Sequence, residues 1–261
     1  MLSMEHLLEE ARNNALPIIK KRAIVREYLH VIILNSIYKQ KFGKFCFFMG
    51  GTAMRYFYKM PRFSEDLDFN TSDLSYREFE DMLEVVKKDI SKEGFSVNIS
   101  SGKRNNLFSA DLTFSDVIKK YGISDNRDLN LMIKIEINRP SWELITESKV
   151  LSMYGYDFAA VLMSKGNLLS EKVCALFSRK RGRDIYDTLF MLKNRFTFNE
   201  NVLKANNIKL PIKDTLLVYL KNMNEKELKR LADQVKPFLF REGDIELILN
   251  APLYAESFLE K

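Results

Sequence analysis

Apolar positions along this chain change their period from segment to segment, and each change predicts a different element. Over residues 16–41, Ile19, Ala23, Val25, Leu29, Ile32, Ile33 and Ile37 recur between lysines and arginines, the spacing of an amphipathic helix that Gly43 ends. Residues 45–49 form a short continuous apolar run, which predicts a buried strand, and 52–60 predict a helix closed before Pro61. A second strand is predicted over 66–70, and a helix over 76–92 that Gly94 ends. Three strands follow, over 95–99, 107–114 and 131–138. The last alternates strictly through Met132-Ile133-Lys134-Ile135-Glu136-Ile137 until Pro140 closes it. After about Asp157 the period turns helical, over 168–177, 184–192, 216–223, 225–235 and 244–249. The pattern predicts an α/β part over residues 1–156, with N-terminal helices, and a mainly helical part over 157–261, the two meeting at a cleft. The boundary lies between Ser141 and Leu168, with no internal repeat and no low-complexity linker.

Composition narrows the class. Of the 261 residues, 46% are hydrophobic, enough to bury a sizeable core and to exclude disorder. Cys46 and Cys174 are the only cysteines, which excludes a disulfide framework and fits a reducing compartment. The N-terminus lacks a basic stretch followed by an apolar one, and no apolar run reaches membrane-spanning length. The expectation is a soluble cytoplasmic protein without a membrane partner. The net charge of +6 and the pI of about 9.1 leave two readings, a well-hydrated surface or an electrostatic footprint for nucleic acid or polyphosphate.

The candidate chemistry begins at Gly50-Gly51-Thr52-Ala53-Met54-Arg55, a glycine turn between an apolar run and a helical segment. Such a turn lets a phosphate approach backbone N–H groups at a helix start. Arg62-Phe63-Ser64-Glu65-Asp66-Leu67-Asp68-Phe69 follows. Residues two apart on a strand share a face, so Asp66 and Asp68 project side by side, where a hard divalent cation relieves their repulsion. Glu136 is the candidate third carboxylate, and the bland alternative for it is an ion pair with Lys134 on the same strand face. In the C-terminal part, Lys172 and Arg179 are seven residues apart and share a helix face suited to an anion such as a triphosphate. Gly182 interrupts that helix. Asp184 then reads as a cap or dipole partner of the next one, and Asp187 as an i, i+4 partner of Arg183. Ser64, two residues before Asp66, is a candidate regulatory position, because phosphorylation there would repel an anionic nucleotide.

In this order, Gly-Gly-Thr-Ala-Met-Arg, Pro-Arg-Phe-Ser-Glu-Asp-Leu-Asp-Phe, Lys-Ile-Glu-Ile and Lys-x-x-Ala-x-x-x-Arg-x-x-x-Arg-Asp-x-x-Asp span about residues 50 to 190. Together they resemble the AbiEii/AbiGii toxin family of nucleotidyltransferases, in the DNA polymerase β-like superfamily. The resemblance implies a nucleotidyltransferase-type mixed sheet with helices, followed by a mainly helical C-terminal part. It implies Mg2+ (or Mn2+) as cofactor, an NTP as substrate, RNA (with tRNA the leading candidate) as acceptor, and a separate antitoxin protein. By resemblance, Gly50, Gly51 and Thr52 match the triphosphate turn, and Asp66 and Asp68 the metal pair. Lys134 and Glu136 match the second motif, where Glu stands although Asp also occurs in the family. Lys172, Arg179, Arg183, Asp184 and Asp187 match the third, with Lys172 placed to meet phosphates. For the fourth motif only the stretch 241–249 offers itself. Competing readings are an NTP- or RNA-binding protein without catalysis, a transferase acting on a protein hydroxyl, and a metal-dependent nuclease, which would leave the glycine turn and Lys172 without a role.

Overall fold

The computed structural model describes residues 1–124, 126 and 129–260. The strict alternation over 131–138 does build a strand with one apolar face. Leu131, Ile133, Ile135 and Ile137 are fully buried, while Met132, Lys134, Glu136 and Asn138 line the opposite, polar face. Each such side chain contributes about 1.5–3 kcal/mol of burial, so this strand is committed to its register. It belongs to a unit made of Met1–Lys59, Ser64–Pro140 and Thr146–Leu162. In chain order that unit's elements are α1 (Met4–Asn13), α2 (Lys21–Tyr38), β1 (Phe47–Met49), α3 (Gly50–Phe57), β2 (Leu67–Asn70), α4 (Tyr76–Lys92), β3 (Asn98–Arg104), β4 (Leu107–Phe114), α5 (Val117–Lys120), β5 (Leu131–Asn138), β6 (Thr146–Met153) and β7 (Tyr156–Met163).

The seven strands form one mixed sheet in the order β3-β4-β5-β2-β1-β7-β6. β2 runs parallel to β5 and antiparallel to β1, and β3, β4 and β5 are successively antiparallel. The sheet with its many helices is the mixed α/β class expected. Two local expectations are corrected. The strand placed at 95–99 is β3 over Asn98–Arg104, a largely exposed strand without apolar alternation, while Phe95 is buried ahead of it. β6 and β7 extend the sheet beyond the strands the sequence predicted, joined through Tyr154 and Gly155 at φ 53° and 79°. α4 matches its predicted bounds because its start is encoded locally. Ser75 caps the helix and Glu78 returns a bond to the Ser75 N–H, a complete capping box.

The other unit comprises Met60–Phe63, Ser141–Ile145 and Met163–Lys261. It carries α6 (Lys165–Arg179), α7 (Gly182–Lys193), α8 (Glu200–Ala205), α9 (Ile212–Lys221), α10 (Glu225–Val235), α11 (Glu246–Leu249) and α12 (Ala251–Leu259). Met60–Phe63 is tied in by backbone. Phe63 N–H donates to the Phe238 carbonyl (2.9 Å), and Phe240 N–H to the Pro61 carbonyl (3.1 Å). Gly182 is needed here for close approach. A Cβ at that position would collide with the Leu231 carbonyl and press on Val235 of α10. Gly182→Ala is therefore expected to cost about 1–3 kcal/mol or more by overpacking, seen as a lower urea midpoint with an unchanged m-value. An unshifted midpoint would show that α10 can move aside. Among the described residues no helix is long and apolar enough to cross a membrane.

Candidate active site

In the sheet-bearing unit, three elements converge on the paired aspartates. β2 pairs with β5 so that Asp68 lies opposite Glu136, and β1 pairs with β2 so that Met49, the residue before the glycine turn, lies opposite Asp68. β4 completes the row with Ser109 opposite Glu136, and on β5 Lys134 faces Asp111. Asp66, Asp68, Lys134 and Glu136 are all half-buried. The polar face of the sheet thus carries carboxylates from neighbouring strands.

α3 begins at Gly50 itself, with φ at 74°, a conformation that L side chains rarely adopt. A Cβ there would run into the Asp68 carboxylate. Gly50 is therefore required twice, by its backbone angle and by the approach of Asp68. The sequence reading placed the Thr52 hydroxyl at the triphosphate turn. In the structure Thr52 is buried and its Oγ1 donates to the Asp66 carbonyl (2.5 Å), which ties the first turn of α3 to the carboxylate loop.

The preceding carbonyl, that of Glu65, is held from α2. His30 Nε2 lies 3.0 Å from Glu65 O, and His30 Nδ1 lies 3.0 Å from the Tyr56 hydroxyl. Burial, with Arg26 nearby, pushes the His30 pKa down to about 3, so the ring is neutral. A carbonyl only accepts, so the proton sits on Nε2 and the Tyr56 hydroxyl donates to Nδ1. Arg26 NH1 donates to Glu65 Oε1 at 2.8 Å. Two consecutive carbonyls, of Glu65 and Asp66, are therefore clamped from two helices, which fixes where Asp66 starts. Ser64 sits half-buried just before this clamp.

Lys134 and Glu136 form an ion pair at 2.5 Å. The hydrogen bond that Lys134 donates to the Glu136 carboxylate raises the Lys134 pKa, with Asp111 and Asp66 acting in the same direction. The ion pair foreseen as the bland alternative is thus formed, and Lys134 is the cation of a carboxylate-rich group.

In the helical unit, the third motif forms its own cluster. Arg62 Nε and NH2 each donate to Asp187 at 2.7 Å, both groups almost completely buried. Lys172 Nζ lies 3.0 Å from Asp187 and 3.4 Å from Asp184, and Arg179 makes a two-point contact with Asp184 at 2.9 Å. Burial pushes both carboxyls up, but the cations outweigh it and hold them below the ordinary carboxylate value. The leading cations are Arg179 and Lys172 at Asp184, and Arg62 and Lys172 at Asp187. The anion that Lys172 and Arg179 meet here is the chain's own Asp184, and Asp184 serves as a buried ion-pair partner more than as a cap. Asp187 takes Arg62 and Lys172, whereas Arg183, its expected i−4 partner, lays its guanidinium over the Phe238 ring at 4.9 Å.

The sequence profile described as "Nucleotidyl transferase AbiEii toxin, Type IV TA system" matches residues 32–250. The chain belongs to the AbiEii family. It is a nucleotidyltransferase toxin of a type IV toxin–antitoxin system, and membership implies an NTP substrate and an antitoxin partner. No curated protein matches it in sequence. Similar solved structures include a putative nucleotidyltransferase from H. pylori (20% identity, 91% of this chain and 95% of that one, TM-score 0.61). JHP933 from Helicobacter pylori matches at 18% identity over 91% and 92% of the two chains, TM-score 0.57. MenT4, a nucleotidyltransferase toxin from Mycobacterium tuberculosis H37Rv, matches at 14% identity over 98% and 90%, TM-score 0.59. At such identities these likenesses speak to the fold.

An AbiEii nucleotidyltransferase usually needs a divalent metal, and the donor set of this chain fits one. Asp66 and Asp68 supply hard oxygen donors, and only a glycine is compatible with the position Asp68 takes beside α3. Among the described residues no three His, Cys, Asp or Glu side chains gather into a complete cage. Mg2+ is commonly held by one or two carboxylates together with substrate phosphates, so two aspartates suffice. Sequence reasoning missed Arg26, His30, Tyr56 and Arg62. The first three lie on α2 and α3, and the only signal for them was polar residues within otherwise apolar helical runs.

Proposed function

We propose that this AbiEii protein transfers a nucleoside monophosphate from an NTP to a hydroxyl of an RNA acceptor, with tRNA the leading candidate, in a Mg2+- or Mn2+-dependent reaction. The observation that carries this reading is the placement of Asp68, opposite Glu136 across β2 and β5 and against Gly50 at the start of α3, with the Glu65 and Asp66 carbonyls held by His30 and Thr52. Asp66 and Asp68 would hold the metal. The chemistry a bound metal supplies there is neutralisation of charge on the triphosphate and on the departing pyrophosphate. Gly50 and Gly51 let phosphate oxygens approach the backbone at the start of α3. The acceptor hydroxyl attacks the α-phosphorus, the bond to the β-phosphate breaks, and pyrophosphate leaves. Glu136 would take the hydroxyl proton, with Lys134 keeping that carboxylate oriented.

Incubating the protein with total RNA, Mg2+ and each α-labelled NTP in turn tests the reaction. Label incorporated into intact RNA supports it. Shortened RNA would favour a nuclease, label on protein a protein acceptor, and metal-dependent NTP binding without pyrophosphate release a binding module.

Lys172 is assigned to the β- and γ-phosphates on the strength of its motif. Lys172→Ala is expected to weaken NTP binding about tenfold or more, the worth of one charge-assisted contact, and to lower the melting temperature by exposing Asp184 and Asp187 to each other. Lys172→Arg is expected to restore binding only in part, because the two cations differ in geometry. A lower melting temperature with unchanged NTP affinity would reduce Lys172 to a structural cation.

A further inference from the structure

We propose that the segment Ile18–Arg22, which leads into α2, is the surface on which the RNA acceptor docks beside the catalytic aspartates. The inference rests on the transferase reading above and assigns it a place on the molecule. Residues 11–26 carry five cations, Arg12, Lys20, Lys21, Arg22 and Arg26, and no carboxylate. Lys21 and Arg22 are exposed, and so are two adjacent isoleucines, Ile18 at 42% and Ile19 at 86%.

The position of this segment follows from a row of contacts one helical turn apart. His30 holds the Glu65 carbonyl, Arg26 holds the Glu65 carboxylate, and Arg22 NH2 donates to the Asn130 carbonyl at 2.9 Å. Residues 22, 26 and 30 share one face of α2. The charge of Arg26 acts on Arg22 on one side and on Asp66 on the other. Lys21 lies five residues before Arg26, about 7.5 Å along the helix. Next to Asn130, Leu129 and Met132 are exposed at 37% and 53%, and Met132 shares its strand face with Lys134 and Glu136. Exposed cations and apolar side chains therefore lie one to two helical turns from the contacts that hold the Glu65 loop.

The composition of this surface identifies its occupant. A triphosphate is met by convergent donors, and exposed isoleucines offer it nothing. A single-stranded RNA repeats a phosphate at every nucleotide and presents unstacked base faces that bury against apolar side chains. An acidic protein surface would match the cations but would leave the exposed isoleucines without a matching repeat.

Binding of a fluorescent single-stranded oligoribonucleotide across a salt series tests the assignment, using the full-length protein and its Lys20→Gln/Lys21→Gln variant. For single-stranded nucleic acid each phosphate contact contributes about 0.7 to the slope of log K against log salt. The variant should therefore lose about 1.4 of slope, equivalent to about 25-fold in affinity at 0.1 M salt relative to 1 M. Ile18→Ser/Ile19→Ser should weaken binding with the slope unchanged. Melting temperature and metal-dependent NTP affinity should remain at wild-type values in both variants. An unchanged slope in the lysine variant, or wild-type protein that fails to bind the RNA, would each overturn the proposal. The outcomes separate the two readings. Slope lost in the variant, with no labelling of RNA by the wild type, keeps the docking surface and removes the transferase reading. Labelled RNA with an unchanged slope does the reverse.

Discussion

Asp66→Ala and Asp68→Ala are each expected to lower nucleotide transfer by about a thousandfold or more while leaving the protein folded. The size of the loss follows from the several kcal/mol of charge stabilisation that a metal site contributes, about 4 kcal/mol being a factor of about a thousand. The direction of the stability change is a sharper test. Asp66 immediately precedes β2, Asp68 lies within it, and Glu136 stands opposite Asp68 on β5. Removing one member of a like-charged group relieves repulsion in the metal-free protein. The melting temperature without ligand is therefore expected to hold or rise. The further stabilisation by NTP with Mg2+, about 2.7 kcal/mol at a ligand concentration of 100 Kd, should disappear. Thermal unfolding with and without NTP and Mg2+, beside the labelling assay, reads both quantities. Full activity in either variant would remove the pair from the site. A large drop in ligand-free stability would show that the carboxylates are structural.

Much of the candidate site was legible because its parts are local. The glycine turn, the Asp-x-Asp spacing and the alternation around Glu136 each follow from a few adjacent residues, and the pairing of β2 with β1 and β5 then brings them together. α4, β4 and β5 were equally clear, since a capping box or a strict alternation marks them. β6 was hidden by its place at the sheet edge. One face is exposed, and the other is only half-covered and carries Glu147 and Lys149 beside Leu151 and Met153, so Thr146–Met153 shows no apolar period. α2 hid its function for the opposite reason. It is buried almost all round, so its polar residues Glu27 and His30 interrupt an apolar run without defining a face. Their partners are far along the chain. Arg26 and His30 meet Glu65 across 39 and 35 positions, and Arg62 meets Asp187 across 125. No spacing rule reaches that distance. The third motif shows the consequence. Its spacing correctly put Lys172 and Arg179 on a common face, but the anion they meet was found only once α7 returned Asp184 to them.

Asp187→Asn is expected to destabilise the protein by about 3–5 kcal/mol at pH 7, the cost of leaving a buried charge without its partner. The partner is Arg62, whose guanidinium is 2% exposed and makes two bonds of 2.7 Å to a carboxylate that is fully buried. Lys172 would also lose its 3.0 Å contact. The pH dependence gives the loss its signature. Burial pushes the Asp187 carboxyl up, but Arg62 and Lys172 outweigh it, so its folded pKa lies below the unfolded value of about 3.9. In that window the unfolded chain binds more protons than the folded one, and stability rises with pH. The contribution is therefore fully present above about pH 4 and fades as the pH falls toward the folded value. Asp184, also held low, acts in the same direction and remains in the variant. Urea unfolding of both proteins from pH 7 down to pH 3 should show the gap between them narrowing below about pH 4, with a shallower acid limb in Asp187→Asn. A gap that stays constant across that range would mean that Asp187 contributes by packing and neutral hydrogen bonding, and that its charge is not what holds Arg62 in place.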